Sequence, residues 1–402
     1  MILFLCSFFI LFYLLPKVFI DIKQLYFIKE KLNQKATILN QEDYQKAGIY
    51  TISTLKYSIF SSLFECLIFI FWLIWGIQVL QTLIFDKINS PFLHSLCFFV
   101  GFIFIHTLLQ LPLEFYKEMV LDKKFGFTKA SIGLFIQDRF KGLVLILVFS
   151  TIIISGLILI IQSVPFWWFW GFLLLFVISL IINILYPTVF APLFNKFTPL
   201  EDRNLKEKID SLLNRVGFES SGIFVMDASR RDGRLNAYFG GLGRTKRVIL
   251  FDTLLKNIST DGLLAILGHE LGHFKHGDIK RNLILQGGII FIIFLLANYG
   301  IECILKPLQL EINGGEICMI LVLLMPIISF WITPILGFFS RKAEYKADLF
   351  GSSLTSKAIL ANALVRIVNE NKSFPYSHPL YVAFHYTHPP LLDRLRALEY
   401  QF

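Results

Sequence analysis

The chain has 402 residues, 55% of them hydrophobic and 43 of them phenylalanine, with a mean hydropathy of +0.64. A soluble domain this apolar could not cover itself with polar surface, so the composition excludes an ordinary soluble protein and predicts one that spans a bilayer. The formal charge of +9 belongs to no separate basic domain, which argues against a nucleic-acid partner.

Seven apolar stretches are long enough to cross a bilayer, which takes about 20 helical residues. They lie at about 2–20, 58–85, 92–113, 142–164, 166–194, 283–305 and 317–339. The first is predicted to be a retained span, because no basic segment precedes it and no small-residue cleavage site follows it. The fifth begins with an aromatic belt and is expected to bend near Pro187.

The basic residues indicate an orientation. If the loops alternate between the two sides, 36 of the 38 Lys and Arg lie on one side. They are Lys17, near the end of the first span, and the 35 in the linkers 21–57 and 114–141, the segment 195–282 and the tail 340–402. Only Lys87 and Lys306 lie on the other side. The positive-inside rule therefore predicts an external N-terminus and a cytoplasmic C-terminus.

The segment 195–282 is the longest polar stretch. Its pattern predicts a helix at 205–216 and short strands at 223–226, 237–239 and 247–252. A second helix is expected at about 261–276, with Ser259 or Thr260 as its N-cap and Gly277 just beyond its end.

This second helix carries the residues with the clearest chemistry, His269-Glu270-Leu-Gly-His273. His269 and His273 are four residues apart, so both imidazoles leave one helical face and can share one zinc ion. Glu270 projects beside that ion and can accept a proton from a water that zinc activates. A chance match to so short a motif is the alternative. The capped helix, and the close approach that Gly268 and Gly272 would permit, argue against chance.

A catalytic zinc needs a third protein ligand and one open position. His276 lies about 10.5 Å along the helix from His269, too far to share its ion. Glu344 and Asp348 follow the seventh span at i and i+4. Glu344 can ligate zinc, and Asp348 can accept the N–H of a ligand histidine. Alternatively, the two are ordinary charged residues at the end of a membrane helix.

Taken together, these residues resemble the type I CAAX prenyl proteases, membrane zinc endopeptidases. The resemblance covers essentially the whole chain. Its motifs are Asp122-Lys-Lys-Phe-Gly-Phe127, Asn236-Ala-Tyr-Phe239, Arg247-Val-Ile-Leu-Phe-Asp-Thr-Leu254, His269-Glu-Leu-Gly-His273, Arg341-Lys-Ala-Glu344 with Ala347-Asp348, and His385-Tyr-Thr-His388-Pro-Pro with Arg394. Two stretches depart from the family pattern, 230–235 and 276–278.

The resemblance implies an α-helical polytopic fold in which seven transmembrane helices enclose a chamber, closed at its cytoplasmic end by a small α+β zincin-like domain. We expect an N-terminal membrane domain of five spans at 1–194 and a metallopeptidase domain with the other two spans at 195–402. By analogy, one Zn²⁺ per chain is held by His269, His273 and Glu344, with Glu270 as general base and Asp348 supporting a ligand.

The resemblance also implies roles for residues that motif spacing leaves open. His388 and Arg394 would lie across the cleft and stabilise the oxyanion or hold the substrate backbone. Residues Asn236, Ala237, Tyr238 and Phe239 would form an exposed edge strand to which a substrate adds as a further strand. Without the family, Arg394 reads as a cation at the membrane face, and Tyr238 and Phe239 read as core residues of the small sheet.

The predicted function is zinc-dependent endoproteolysis of membrane-associated or prenylated CaaX-type proteins, by Glu-assisted attack of zinc-bound water. The predicted partners are such polypeptides and the lipid bilayer. The alternatives are a broad quality-control protease for membrane proteins without a prenyl requirement, or a non-enzymatic zinc scaffold or transporter. The membrane would be the cell membrane in a bacterium or the ER membrane in a eukaryote, with the catalytic side cytoplasmic.

Overall fold

The computed structural model describes residues 1–85, 88–241, 246–310 and 314–401. Within these ranges seven helices are long and apolar enough to cross a bilayer, which confirms the predicted number. They are α1 (Ile2–Leu32), α2 (Gln41–Ile84), α3 (Pro91–Asp122), α4 (Ile132–Ser163), α5 (Trp167–Phe194), α9 (Asp278–Leu308) and α10 (Gly314–Leu354). Lys87, used above to assign the sides of the membrane, lies outside the described residues.

Several helices extend well beyond their apolar stretches. Helix α2 begins at Gln41, where the side chain of Asn40 accepts a hydrogen bond from the Asp43 N–H at 2.8 Å. Helix α10 continues to Leu354. Hydropathy marks only the part of a helix that lipid can surround, whereas the backbone hydrogen bonds continue through polar residues. The predicted bend of α5 coincides with a π-helical turn at Tyr186–Phe190, where Pro187 lacks an N–H donor.

Aromatic side chains form much of the core between the membrane helices. Phe9, Trp72, Phe98 and Phe102 are almost fully buried, and the rings of Trp72 and Phe102 meet edge to face at 4.7 Å. Rings of this size bury large apolar areas and interlock helices whose outer faces remain for lipid.

A cavity of about 390 Å³ lies between α1, α2, α3 and α10, and none of the residues that line it belongs to the metal centre, so the enclosing chamber stays a prediction. Glu65 and His106 line it, and Tyr13 donates a hydrogen bond to Glu65. Asn183 does not face this cavity, because it is exposed and donates to the Ser179 carbonyl of its own helix. Tyr13, Glu65 and His106 thus form a polar group on the wall of this cavity, whereas other buried polar residues, such as His94 and Glu316, lie elsewhere in the bundle.

The segment after α5 folds into a small α+β unit with a four-stranded sheet. Its strands are β1 (Phe197–Pro199), β2 (Ile223–Met226), β3 (Ala237–Gly240) and β4 (Arg247–Phe251), in the order β1-β2-β4-β3. Strands β2 and β4 are parallel, and the outer pairs are antiparallel. The sequence predicted β2, β3 and β4 but not β1, which is too short to show a pattern. Strand β3 is an edge strand.

Outside the membrane spans, the described residues form six further α-helices. They are α6 (Arg203–Val216), α7 (Asp252–Asn257), α8 (Thr260–Lys275), α11 (Lys357–Glu370), α12 (Pro379–His385) and α13 (Leu391–Ala397). Ser259 is the N-cap of α8 and accepts from the Gly262 N–H at 3.2 Å. Gly277 follows α8 with φ +71°, as its position predicted.

Helices α8 and α10 cross at glycines, which lets their backbones touch. A Cβ on Gly272 would lie 2.8 Å from the Ala347 Cα, and a Cβ on Gly351 would lie 2.6 Å from the backbone nitrogen of His269. These separations are shorter than van der Waals contact. Small residues therefore set the distance between the helix with the histidines and the helix with Glu344.

We expect Gly272→Ala to destabilise the protein, because backbone atoms of α10 must move to admit the methyl group. Overpacking costs roughly 1–3 kcal/mol, more than the ~1 kcal/mol that alanine gains in helix propensity. Gly288→Ala is the control, since it also lies in a helix and a Cβ there meets nothing within 4 Å. Thermal unfolding in detergent should show a lower midpoint for Gly272→Ala alone. Equal midpoints would contradict the close helix contact.

Candidate metal centre and cleft

Two histidines from α8 and one glutamate from α10 converge on a single point. One ligand atom from each of His269, His273 and Glu344 lies within 4.8 Å of the other two. The Glu344 Oε2 is 3.4 Å from His269 Nε2, and its Oε1 is 3.3 Å from His273 Nε2. The imidazole rings are nearly perpendicular, at 88°, with centroids 4.9 Å apart. The structure thus brings together the three residues named as ligands from the sequence.

The donor set fits a zinc ion. Zinc bonds to His nitrogen at about 2.0–2.1 Å, so tetrahedral ligands are about 3.3 Å apart, close to the separations here. The Glu344 side chain is only 3% exposed, and its Oε2 forms no hydrogen bond with any described residue. Lone pairs from two imidazoles and a buried carboxylate repel one another unless a cation or protons lie between them.

Two further carboxylates hold the histidines in place. The Asp348 Oδ1 lies 2.8 Å from His269 Nδ1, and the Asp278 Oδ2 lies 2.8 Å from His273 Nδ1. An acceptor at Nδ1 keeps the proton there and directs the Nε2 lone pair to the metal position. Burial disfavours a charge on His269, but Asp348 and Glu344 outweigh it and raise the pKa of His269 to about 9. A metal would therefore displace a proton when it binds.

Glu270 lies beside this centre and lines a cleft of about 530 Å³ together with His269, His388 and Arg394. Burial raises the pKa of Glu270, although the positive charge of His269 and His273 acts in the opposite direction. A carboxylate with a raised pKa, next to a metal position and open to a cleft, has the properties of a general base.

His388 and Arg394 both reach the centre from the C-terminal segment, but their environments differ. The His388 Nε2 is 3.3 Å from Glu344 Oε1, and its side chain is 63% exposed to the cleft. The Arg394 side chain is 11% exposed and donates from Nε and Nη2 to Asp348 at 2.8 and 2.6 Å. Arg394 Nη1 is 3.5 Å from Glu344 Oε2. His388 is therefore the more available of the two to a ligand in the cleft.

The four residues of the expected substrate strand divide between cleft and core. Asn236 and Ala237 line the cleft. Phe239 packs edge to face on Phe218 at 4.9 Å, and Tyr238 faces Phe251 with centroids 6.3 Å apart. The Phe251 N–H donates to the Asn236 carbonyl at 3.2 Å, so the alternation of an antiparallel ladder turns the main-chain groups of Ala237 and Phe239 to the free edge.

Asp278 and Arg281 also belong to the site, although neither was predicted from the sequence. Asp278 is 6% exposed, and Arg281 donates to its Oδ1 at 2.7 Å, which leaves Oδ2 for His273. The sequence feature that could have indicated Asp278 is its position five residues after His273, just past the end of α8. His276 is exposed, with its ring 5.9 Å from that of Phe350, and lies outside the centre as the helix spacing predicted.

We expect Asp278→Asn to lower zinc affinity by about 10–100-fold, because outer carboxylates that orient ligand histidines have effects of this size. Asp261→Asn is the control. It is the same substitution at the exposed N-terminal end of α8, the helix that carries both histidines. Competition with a fluorescent zinc chelator measures both affinities. An Asp278→Asn protein with unchanged affinity would show that His273 needs no carboxylate partner.

A polytopic helical membrane protein with two histidines and a glutamate around a metal position, and a further glutamate open to a cleft, defines a membrane metallopeptidase. Comparison with known proteins agrees. Residues 199–401 match the model of Peptidase family M48, and residues 24–196 match that of the CAAX prenyl protease N-terminal region, described as five membrane helices. The chain belongs to peptidase family M48, which confirms the resemblance noted in the sequence.

Similar proteins extend over nearly the whole chain. It is 34% identical to CAAX prenyl protease 1 of Saccharomyces cerevisiae, over 90% of this chain and 87% of that protein. It is 32% identical to the Arabidopsis thaliana homologue, over 95% of this chain and 93% of that one. The crystal structure of S. mikatae Ste24p matches with a TM-score of 0.91 and 30% identity, covering 99% of both chains.

Proposed function

We propose that this chain is a zinc-dependent endopeptidase that cleaves prenylated, CaaX-type proteins. The observation that carries this proposal is that Glu270 and His269 line the same cleft as Asn236 and Ala237, and the Ala237 carbonyl turns to the free edge of β3. The residues that would activate a water molecule and the strand edge that would bind a peptide therefore line the same cleft. The likeness to curated CAAX prenyl proteases over most of both chains supports the substrate class.

The fitting metal is zinc, held by His269, His273 and Glu344 with one position open to the cleft. When bound, it would polarise the scissile carbonyl and lower the pKa of a water molecule. Glu270 accepts the proton of the attacking water and passes it to the leaving amine. Its position one residue from a ligand keeps that proton transfer within the cleft.

His388 and Arg394 place positive or hydrogen-bonding groups near the carbonyl oxygen as it gains negative charge. His388 acts directly, because its ring is exposed to the cleft and 3.3 Å from Glu344. Arg394 acts mainly through Asp348, which accepts two of its hydrogen bonds and also meets His269. We propose His388 as the oxyanion partner and Arg394 as a positioning residue.

The protein is a multi-pass membrane protein, and we propose that the metal centre faces the cytoplasm. The supporting observation is the distribution of Lys and Arg over the loops. All the helices and strands around the centre, from β1 to α8 and from α11 to α13, lie on the side of the basic loops. In a eukaryotic host, as for the relatives named above, the membrane would be that of the ER.

The test compares a farnesylated CaaX peptide with the same peptide lacking the lipid, using purified protein in detergent. Glu270→Gln protein serves as the blank. We expect cleavage that depends on the lipid and is absent from the blank. Equal cleavage of both peptides, still absent from the blank, would instead identify a broad protease for membrane proteins and overturn the prenyl requirement.

A further inference from the structure

An arginine lies in the wall of the catalytic cleft, outside the residues given a role above. Arg234 and Asp232 line the cleft together with Asn236, Glu270 and His388. The Arg234 side chain is 33% exposed. It stands two residues before Asn236, where the free edge of the sheet begins.

The guanidinium of Arg234 is held by the N-terminal membrane helices as well as by its own loop. It donates to Asp232 Oδ2 at 2.6 Å and to the Tyr50 hydroxyl at 2.8 Å, and it lies 3.4 Å from Asp122 Oδ2. Its Cζ lies over the Phe127 ring, 4.3 Å from the ring centroid. An arginine has five N–H donors, and these partners engage only Nη1 and Nη2 among the described residues. Donor capacity therefore remains for a ligand in the cleft.

The backbone around Arg234 is fixed before any ligand arrives. The Thr253 hydroxyl donates to the Arg234 carbonyl at 2.9 Å. The side chain of Asn371 both accepts from the Leu235 N–H at 2.8 Å and donates to the Leu235 carbonyl at 3.3 Å. A charged group anchored at this many points loses little freedom on binding, which favours affinity and selectivity.

Further charged residues surround Arg234. Lys117 pairs with Asp122 at 2.8 Å, and Asp232 pairs with Arg234. Lys372 lies 4.9 Å from the same Phe127 ring that Arg234 covers. Arg234 and Lys117 are thus paired with Asp232 and Asp122, and Lys372 is a further cation whose own charged neighbours include Asp43 and Glu370.

Strand direction decides which end of a substrate comes to this wall. A peptide that adds to β3 in antiparallel register runs opposite to the direction from Asn236 to Gly240. Its C-terminal residues therefore pass Ala237 and Asn236 and continue toward Arg234. A CaaX chain has three residues beyond the cleaved bond, which extend at most about 10 Å. Its free carboxylate then ends near Arg234.

We propose that Arg234 binds the free α-carboxylate of the substrate and so determines specificity for cleavage three residues from a C-terminus. This proposal rests on the proposed CaaX-type function and names the group that recognises the chain end. Arginine is suited to this task because its planar fork matches a carboxylate in a bidentate pair.

Binding to Glu270→Gln protein tests the proposal without requiring cleavage. The probes are one fluorescent farnesylated CaaX peptide with a C-terminal carboxylate and the same peptide as a C-terminal amide. We expect the carboxylate form to bind about 10-fold more tightly, the effect of a charge-assisted hydrogen-bonded pair. Adding Arg234→Gln should weaken the carboxylate form to the level of the amide and leave the amide unchanged. Arg234→Lys should retain part of the preference.

Arg366→Gln is the matched control, because Arg366 is half exposed on α11 and pairs with Glu370 outside the cleft. It should keep the full preference. A purely structural Arg234 would weaken both peptides equally, and that result overturns the proposal, as does a parent protein that binds both peptides alike. A failure of the proposed CaaX-type function is distinguishable from a failure of the Arg234 proposal, because the protein would then bind peptides with and without the farnesyl group equally well.

Discussion

Replacement of Glu270 by glutamine should lower kcat by about 10²–10⁴-fold, the contribution expected of a general base. Glutamine keeps the size of the side chain but cannot accept the proton of the attacking water. Zinc content should stay at one ion per chain, because Glu270 is not among the three residues whose ligand atoms converge. Peptide cleavage and metal analysis of the same preparation provide the two measurements.

The matched control for this substitution is Glu219→Gln, an exposed glutamate after α6. It should keep full activity. If Glu270→Gln protein turned over substrate at the normal rate, another group would have to be the base. If its zinc content fell in proportion to activity, the loss would reflect a damaged metal site.

Replacement of Glu344 by glutamine should weaken zinc binding by more than the ~10–100-fold expected for an outer carboxylate such as Asp278, because it removes the charge of a direct ligand. Activity should fall with zinc content and recover in part when zinc is added in excess. Without zinc, loss of Glu344 also removes the neighbour that helps to raise the pKa of His269. Zinc titration monitored by chelator competition measures the affinity.

Glu316→Gln provides a demanding control, because Glu316 is fully buried on the same helix at its other end. Both substitutions replace a buried carboxyl group of α10 with an amide, so both can change the thermal midpoint. Only Glu344→Gln should change zinc affinity. A Glu344→Gln protein that retained normal affinity would exclude Glu344 as a ligand, and equal affinity losses in both variants would point to general unfolding.

Much of the fold could be predicted because the bilayer constrains the sequence strongly. Seven apolar stretches of about 20 residues have few alternatives to membrane helices, since lipid offers no partners for free backbone groups. The helix with the two histidines was equally clear from its N-cap, its spacing and the glycine beyond it. Helix ends in polar sequence were less clear, as the extension of α10 to Leu354 shows, because hydropathy does not mark them.

The sequence by itself determined the membrane class, the seven spans and the candidate zinc residues, because these depend on periodicity within one helix or on local composition. Only the tertiary structure decided which carboxylate supports which histidine, and that Arg234 meets Tyr50 in the cleft wall. Such contacts join residues far apart in the chain. They depend on how whole helices and sheets pack, and spacing within one segment carries no record of that packing.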